Sequence, residues 1–61
     1  MTSGDKLREA RGEKSQQQVA DDLGISVAAV CSYENDTRVP RDKLKKDIAE
    51  YYGRTVQDLF F

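Results

Sequence analysis

A chain of 61 residues is expected to form one domain, residues 1–61, with a core worth only about 3–5 kcal/mol. One cysteine and no histidine leave neither an intramolecular disulfide nor a metal cluster to brace that core, so stability must come from helix packing and from dimerisation. The net charge of −1 is unevenly divided: residues 1–36 carry four basic and seven acidic side chains, and residues 37–61 carry six basic and four acidic ones.

The polar start, Met1-Thr2-Ser3-Gly4-Asp5, is no signal peptide, and no apolar run reaches membrane-spanning length. A cytoplasmic protein is therefore expected, with no membrane partner. In chain order, the first helix is expected over Ser3–Arg11, capped by Ser3, with Asp5 in its first turn and Leu7 and Ala10 on one face. Gly12 ends it. The second helix runs from Gln16 to Leu23, with Ser15 as its N-cap and Gln18 as a capping-box partner. Ser26 caps a third helix, Val27–Glu34, and Asn35-Asp36-Thr37-Arg38-Val39-Pro40 forms a loop in which Asn35 and Asp36 tolerate left-handed backbone. A fourth helix spans Arg41–Tyr52, with Leu44, Ile48 and Tyr51 or Tyr52 at helical spacing. Gly53 closes it, and Thr55 caps a fifth helix, Val56–Phe60.

The organising stretch is Ser15–Asn35. With Gln16 as its first position, Ala20 is fifth, Gly24 ninth and Val30 fifteenth. A small residue lets two helices cross closely, a glycine takes positive φ at the first helix end, and a branched apolar residue fills the space under the second helix. Val19, Leu23, Ile25 and Tyr33 supply the other apolar positions. This is the spacing of a helix-turn-helix, which presents its second helix to the DNA major groove; a plain αα-hairpin fits the bare spacing as well. The cluster Arg38, Arg41, Lys43, Lys45 and Lys46 supplies local positive charge for phosphate, although for Lys45 and Lys46 a solvated helix face is an equal alternative. Cys31 reads as a small packing residue or a partly exposed helix position. No histidine, no phosphate loop and only scattered carboxylates argue against an enzyme, and no cofactor, metal or small-molecule ligand is expected.

Beyond the spacing, the text L-R-E-A-R-G, S-Q-Q-Q-V-A-D-D-L-G-I-S, V-C-S-Y-E-N, R-V-P-R and I-A-E-Y-Y-G-R-T-V-Q-D-L-F closely resembles the Cro/phage-repressor type of helix-turn-helix domain, the XRE family. The resemblance covers about Leu7 to Phe60. It implies an all-α, five-helix bundle of lambda repressor-like fold that acts as a dimer on a two-fold operator of double-stranded DNA. It implies phosphate contacts from Gln16, with Gln17 beside it, and from Ser26. It places Val27, Ala28 and Ser32 at base-reading positions and Asn35, Thr37 and Arg38 in a DNA-contacting loop. It also implies a partly buried ion pair between Arg11 and Glu34. Leu59, Phe60 and Phe61 are expected at a dimer interface, Leu59 and Phe60 also matching core positions; the alternative for Phe61 is to fold back against Tyr51 or Tyr52. Two departures stand out. Asp36 replaces the glycine that usually follows Glu-Asn, and the reading positions hold no Arg, Lys, Asn or Gln, the side chains that make paired contacts to guanine or adenine. The expected function is sequence-specific transcriptional regulation, as a repressor, by a protein associated with the nucleoid when bound. The competing expectation is a protein-interaction or antitoxin-like module of the same fold.

Overall fold

The computed structural model describes residues 2–61. Among these every regular element is helical: α1 (Ser3–Arg11), α2 (Gln16–Leu23), α3 (Val27–Glu34), α4 (Asp42–Tyr52) and α5 (Val56–Phe60). The fold is an all-α bundle of five helices containing a helix-turn-helix.

Local chemistry sets the helix ends. Ser15, Ser26 and Thr55 each sit in extended backbone, and each accepts a hydrogen bond from the N–H three residues on, satisfying a donor that has no partner inside the helix. Gln18 does not close the expected capping box; its amide nitrogen donates to Asp22 at 2.9 Å instead. The first helix is capped by Thr2 and not by Ser3. Thr2 and Asp5 exchange side-chain and backbone hydrogen bonds in a complete capping box, which moves Ser3 inside the helix. The fourth helix begins at Asp42, one residue later than expected, because Arg41 is extended and contributes no side-chain cap.

The carboxyl end of α3 is the informative one. Asp36 has φ 62°, and its N–H bonds to the Tyr33 carbonyl while the Thr37 N–H bonds to the Ser32 carbonyl. This pair of bonds is a Schellman motif, with aspartate at the left-handed position that glycine usually fills. The side chain accounts for the choice, since Asp36 Oδ1 accepts from the Gly4 N–H at 2.9 Å, tying the start of α1 to the end of α3.

The interior has two apolar groups. Leu7, Ala29, Tyr33, Ile48, Ala49 and Leu59 form one, and Val19, Ala20 and Val30 the other. Leu23, Ile25 and Tyr52 pack against both. The second group is the crossing of α2 and α3, where Ala20 is 1% exposed. Gly4 is buried for a related reason: a Cβ at that position would stand 2.2 Å from the Glu34 carbonyl oxygen. Helix α1 therefore packs its backbone directly on the last turn of α3.

Gly4→Ala should accordingly force these two backbones apart and cost about 1–3 kcal/mol, the range of an overpacked core. Thermal denaturation followed by circular dichroism checks this. A melting point equal to that of the parent would mean that α1 shifts freely.

Candidate nucleic-acid interface

Helix α3 divides cleanly into two sides. Ala29, Val30, Tyr33 and Glu34 are buried, whereas Ala28, Cys31, Ser32 and Asn35 are exposed or half-buried. Spacings of three and four residues place these four on one outward stripe. The N-terminal turn of α2, with Gln16 and Gln17, belongs to the same helix-turn-helix unit, and the loop from Asn35 to Pro40 follows the other end of α3.

Glu34 fixes the orientation of α3. Its carboxylate is only 3% exposed and is held from two other helices. Arg11 Nε donates to one oxygen at 2.7 Å and Arg11 Nη2 to the other at 3.1 Å, a two-point contact that matches the planar guanidinium to the carboxylate. Gln16 Nε2 donates to Glu34 Oε1 at 3.2 Å, and Arg8 Nε lies 3.9 Å from that same oxygen. The hydrogen bond to Glu34 pushes the Arg11 guanidinium pKa up from its ordinary value. The Glu34 carbonyl accepts from Arg8 Nη2 at 3.1 Å.

Several of the residues implied for DNA contact are already hydrogen-bonded within the chain. Gln16 is bound to Glu34, and the Gln17 amide donates to Asp21 at 2.8 Å. Ser26 is exposed, with its Oγ capping Ala29. Val27 is half-buried and leans on the Val19–Ala20–Val30 group, so only part of it is free for a ligand. Ala28 is exposed. Ser32 is half-buried, and its carbonyl accepts from the Thr37 hydroxyl at 3.2 Å. Asn35 is held at both ends of its amide: Oδ1 accepts from Arg8 at 3.3 Å and Nδ2 donates to Cys31 Sγ at 3.2 Å. Arg38 is exposed, with its guanidinium 5.8 Å from the Tyr33 ring centroid.

Sequence reasoning missed two residues of this surface. Cys31 shares the outward stripe, which its spacing of three from Ala28 and four from Asn35 makes legible. Arg8 orients Asn35, and no local pattern announces that contact across 27 positions.

At the far end of the chain the expected trio separates. Leu59 is 1% exposed and lies in the core, so it has no side-chain surface left for a second copy; Phe60 is half-buried. Phe61 is 78% exposed, and it sits beside Lys45, whose Nζ is 5.2 Å from its ring centroid, instead of folding back on Tyr51 or Tyr52. Those two tyrosines pack edge to face with each other, while the Tyr51 hydroxyl donates to Asp22 and accepts from Lys14.

A family model described as helix-turn-helix matches residues 6–59, from the first turn of α1 to the core residue of α5. The chain belongs to this family, the Cro/phage-repressor or XRE type. Comparison with curated proteins and with solved structures returns no match. The helix-turn-helix regulators of this family bind DNA, and α2 and α3 are the pair that gives the family its name. No helix among the described residues is long and apolar enough to cross a membrane.

Arg11→Ala would leave the Glu34 carboxylate buried with its two-point partner gone. Removing one member of a buried pair costs about 3–5 kcal/mol, as much as the whole stability expected of so small a core. The variant should be largely unfolded at 37 °C by circular dichroism, whereas the double replacement Arg11→Met with Glu34→Leu should recover much of the loss, since no charge then remains buried.

Acid should act through Asp36. Hydrogen bonds from the Thr2 hydroxyl and the Gly4 N–H hold its carboxyl below the ordinary aspartate value. The stabilisation is complete above the unfolded aspartate pKa near 3.9 and is lost as pH falls through the lower folded value. Asp36→Asn, which keeps an acceptor for Gly4 and tolerates left-handed backbone, should melt with a shallower dependence on pH below about 4 than the parent. Parallel curves for the two proteins would remove Asp36 as the source.

Proposed function

We propose that the chain is a sequence-specific transcriptional regulator, a repressor, that lays α3 in the major groove of double-stranded DNA and works as a homodimer on a two-fold operator. The observation that carries this is the division of α3: a buried side clamped through Glu34 and an outward stripe of Ala28, Cys31, Ser32 and Asn35 with no large side chain between them. A helix so bare can approach base edges closely. Val27 and Ala28 suit the thymine methyl, and Ser32 offers a single hydrogen bond, so direct readout favours T-rich half-sites and remains weak. Affinity then comes from phosphate contacts by Gln16, Gln17, Ser26, Thr37 and Arg38, with Asn35 held in place by Arg8, and further specificity from DNA shape between the half-sites. Contacts from Gln16 and Gln17 require their intrachain hydrogen bonds to be exchanged for phosphate. The exposed Phe61 ring is the part of α5's end available for pairing two copies, and burying one ring pair is a small gain, so pairing is expected mainly on DNA. In the cell such a protein works in the cytoplasm, on the nucleoid.

A second reading, a protein-interaction module of antitoxin type, draws on the excess of seven acidic over four basic side chains in residues 1–36. Fluorescence anisotropy against random duplex DNA at low and moderate salt separates the two. Steep weakening with salt supports phosphate neutralisation, and no binding at low salt overturns the DNA reading.

With the operator selected from a random DNA pool, Val27→Ala should lose on the order of 1 kcal/mol on that site and little on random DNA. Its melting curve must be measured beside it, because Val27 also packs on α2. Arg38→Ala should weaken binding to both DNAs and flatten the salt slope by about one unit. If Val27→Ala is silent on the operator while Arg38→Ala changes the preferred sequence, the loop is the reader.

A further inference from the structure

Asn35 ends α3 in near-helical backbone, φ −93° and ψ 4°, with its N–H on the Cys31 carbonyl at 2.9 Å. It is exposed, and it carries the one side-chain amide of the outward stripe. An exposed amide can turn over and exchange its oxygen for its nitrogen. Here a residue of another helix decides which way it faces. Arg8 of α1 places Nη2 3.3 Å from Asn35 Oδ1 and 3.1 Å from the Glu34 carbonyl oxygen. A guanidinium has donors only, so the amide atom that faces it must be the oxygen. The nitrogen is thereby turned toward Cys31 Sγ, at 3.2 Å, along the stripe. Arg8 is itself held between two carboxylates, with Nη1 3.9 Å from Asp5 Oδ1 and Nε 3.9 Å from Glu34 Oε1. Its charge is thus compensated inside the chain.

We infer that Arg8 is a positioning residue for DNA recognition, which makes Asn35 a hydrogen-bond donor at the carboxyl end of the outward stripe. The inference rests on the DNA reading of α3 and adds the chemistry that Asn35 meets: an acceptor on DNA, either a phosphate oxygen or the O6 and N7 edge of guanine. A free asparagine suits adenine, to which it presents oxygen and N–H together. With the oxygen turned to α1 that pairing is broken, and the N–H directed along the stripe remains. Because the amide is ordered before DNA arrives, its rotational freedom is not lost again on binding. Arg8 acts through this amide and not as a phosphate contact of its own, since Asp5 and Glu34 already offset its charge.

The first test uses no DNA. Nitrogen-15 relaxation of the side-chain amides in the whole chain should show the Asn35 amide as rigid as the α3 backbone, and that of the exposed Gln57 mobile. Arg8→Met should bring Asn35 to the level of Gln57 with the fold retained, because Arg11 and Gln16 still satisfy the Glu34 carboxylate. The second test is a double-mutant cycle on random duplex DNA and on the selected operator. Arg8→Met and Asn35→Ala should each weaken binding by about two- to tenfold, the range for ordering one freed side chain, and the double variant should bind no more weakly than Asn35→Ala. The salt slope of Arg8→Met should equal that of the parent, because a neutral amide releases no counterion. An equal loss on both DNAs identifies the acceptor as phosphate, a loss confined to the operator identifies it as guanine, and either supports the inference. A mobile Asn35 amide in the parent overturns it, as do additive effects in the cycle. So does a slope flattened by about one unit, which would put Arg8 itself on a phosphate. A preference for adenine that Asn35→Ala abolishes also overturns it, and this outcome, like the parent's relaxation, is read without Arg8→Met should that variant fail to fold. If the parent binds no DNA at low salt while its Asn35 amide is rigid, the DNA reading has failed and the locking of the amide by Arg8 has not.

Discussion

The structure depends on one buried carboxylate. Glu34 is at the last turn of α3, almost fully withdrawn from water, and a charge so placed is tolerable only when its oxygens are matched by donors of fixed geometry. Arg11 supplies two of them from α1 and Gln16 a third from α2. The same residue's carbonyl takes Arg8, and the backbone of Gly4 packs against it. Three helices are thus referred to a single point. A small apolar core would hold these helices together, but it would do so with latitude in their rotation. The directional bonds to Glu34 remove that latitude and decide which side of α3 turns outward.

That arrangement has a cost for recognition. Several polar side chains that could meet DNA are satisfied within the chain, and the outward stripe of α3 is short and weakly polar. Binding must exchange one set of hydrogen bonds for another, so the net gain per contact is small even where the gross interaction is large. What the free protein gains is order: the Asn35 amide, held between Arg8 and Cys31, has one orientation to offer. On the proposed reading, phosphate contact and DNA shape carry more of the recognition than a code of long side chains, and affinity should be correspondingly sensitive to ionic strength.

The second part of the chain has a different character. Two of its six basic side chains rest on aromatic rings, Arg38 on Tyr33 and Lys45 on Phe60 and Phe61, so charge and apolar surface meet there. Solvent screens isolated surface cations effectively, but cations set on ring faces beside an apolar groove are screened less. The molecule therefore has a polar face on the helix-turn-helix unit and, beside α5, an apolar face on which Arg38 and Lys45 rest against aromatic rings.

Much of this was legible in the sequence because it is local. Ser15, Ser26, Thr55, Gly24 and Gly53 mark helix ends through bonds reaching only a few residues, and Ala20 and Val30 declare a close helix crossing by their size and spacing. The placement of Leu7, Val19 and Ile48 in the interior follows from helical period alone. What only the tertiary structure decided lies between residues distant in the chain, where no period connects them. Gly4 looks like one more flexible residue near the start, yet it is required because α1 meets the Glu34 carbonyl. Asp36 looks like a turn residue, yet its carboxylate reaches back to that same glycine. Leu59 reads equally as core or as interface until α5 is seen to spend it on the core, and Val27 reads as a free side chain until α2 is packed beneath it. In each case the sequence determined the chemical type at the position, and the packing of one helix on another determined what that type was for.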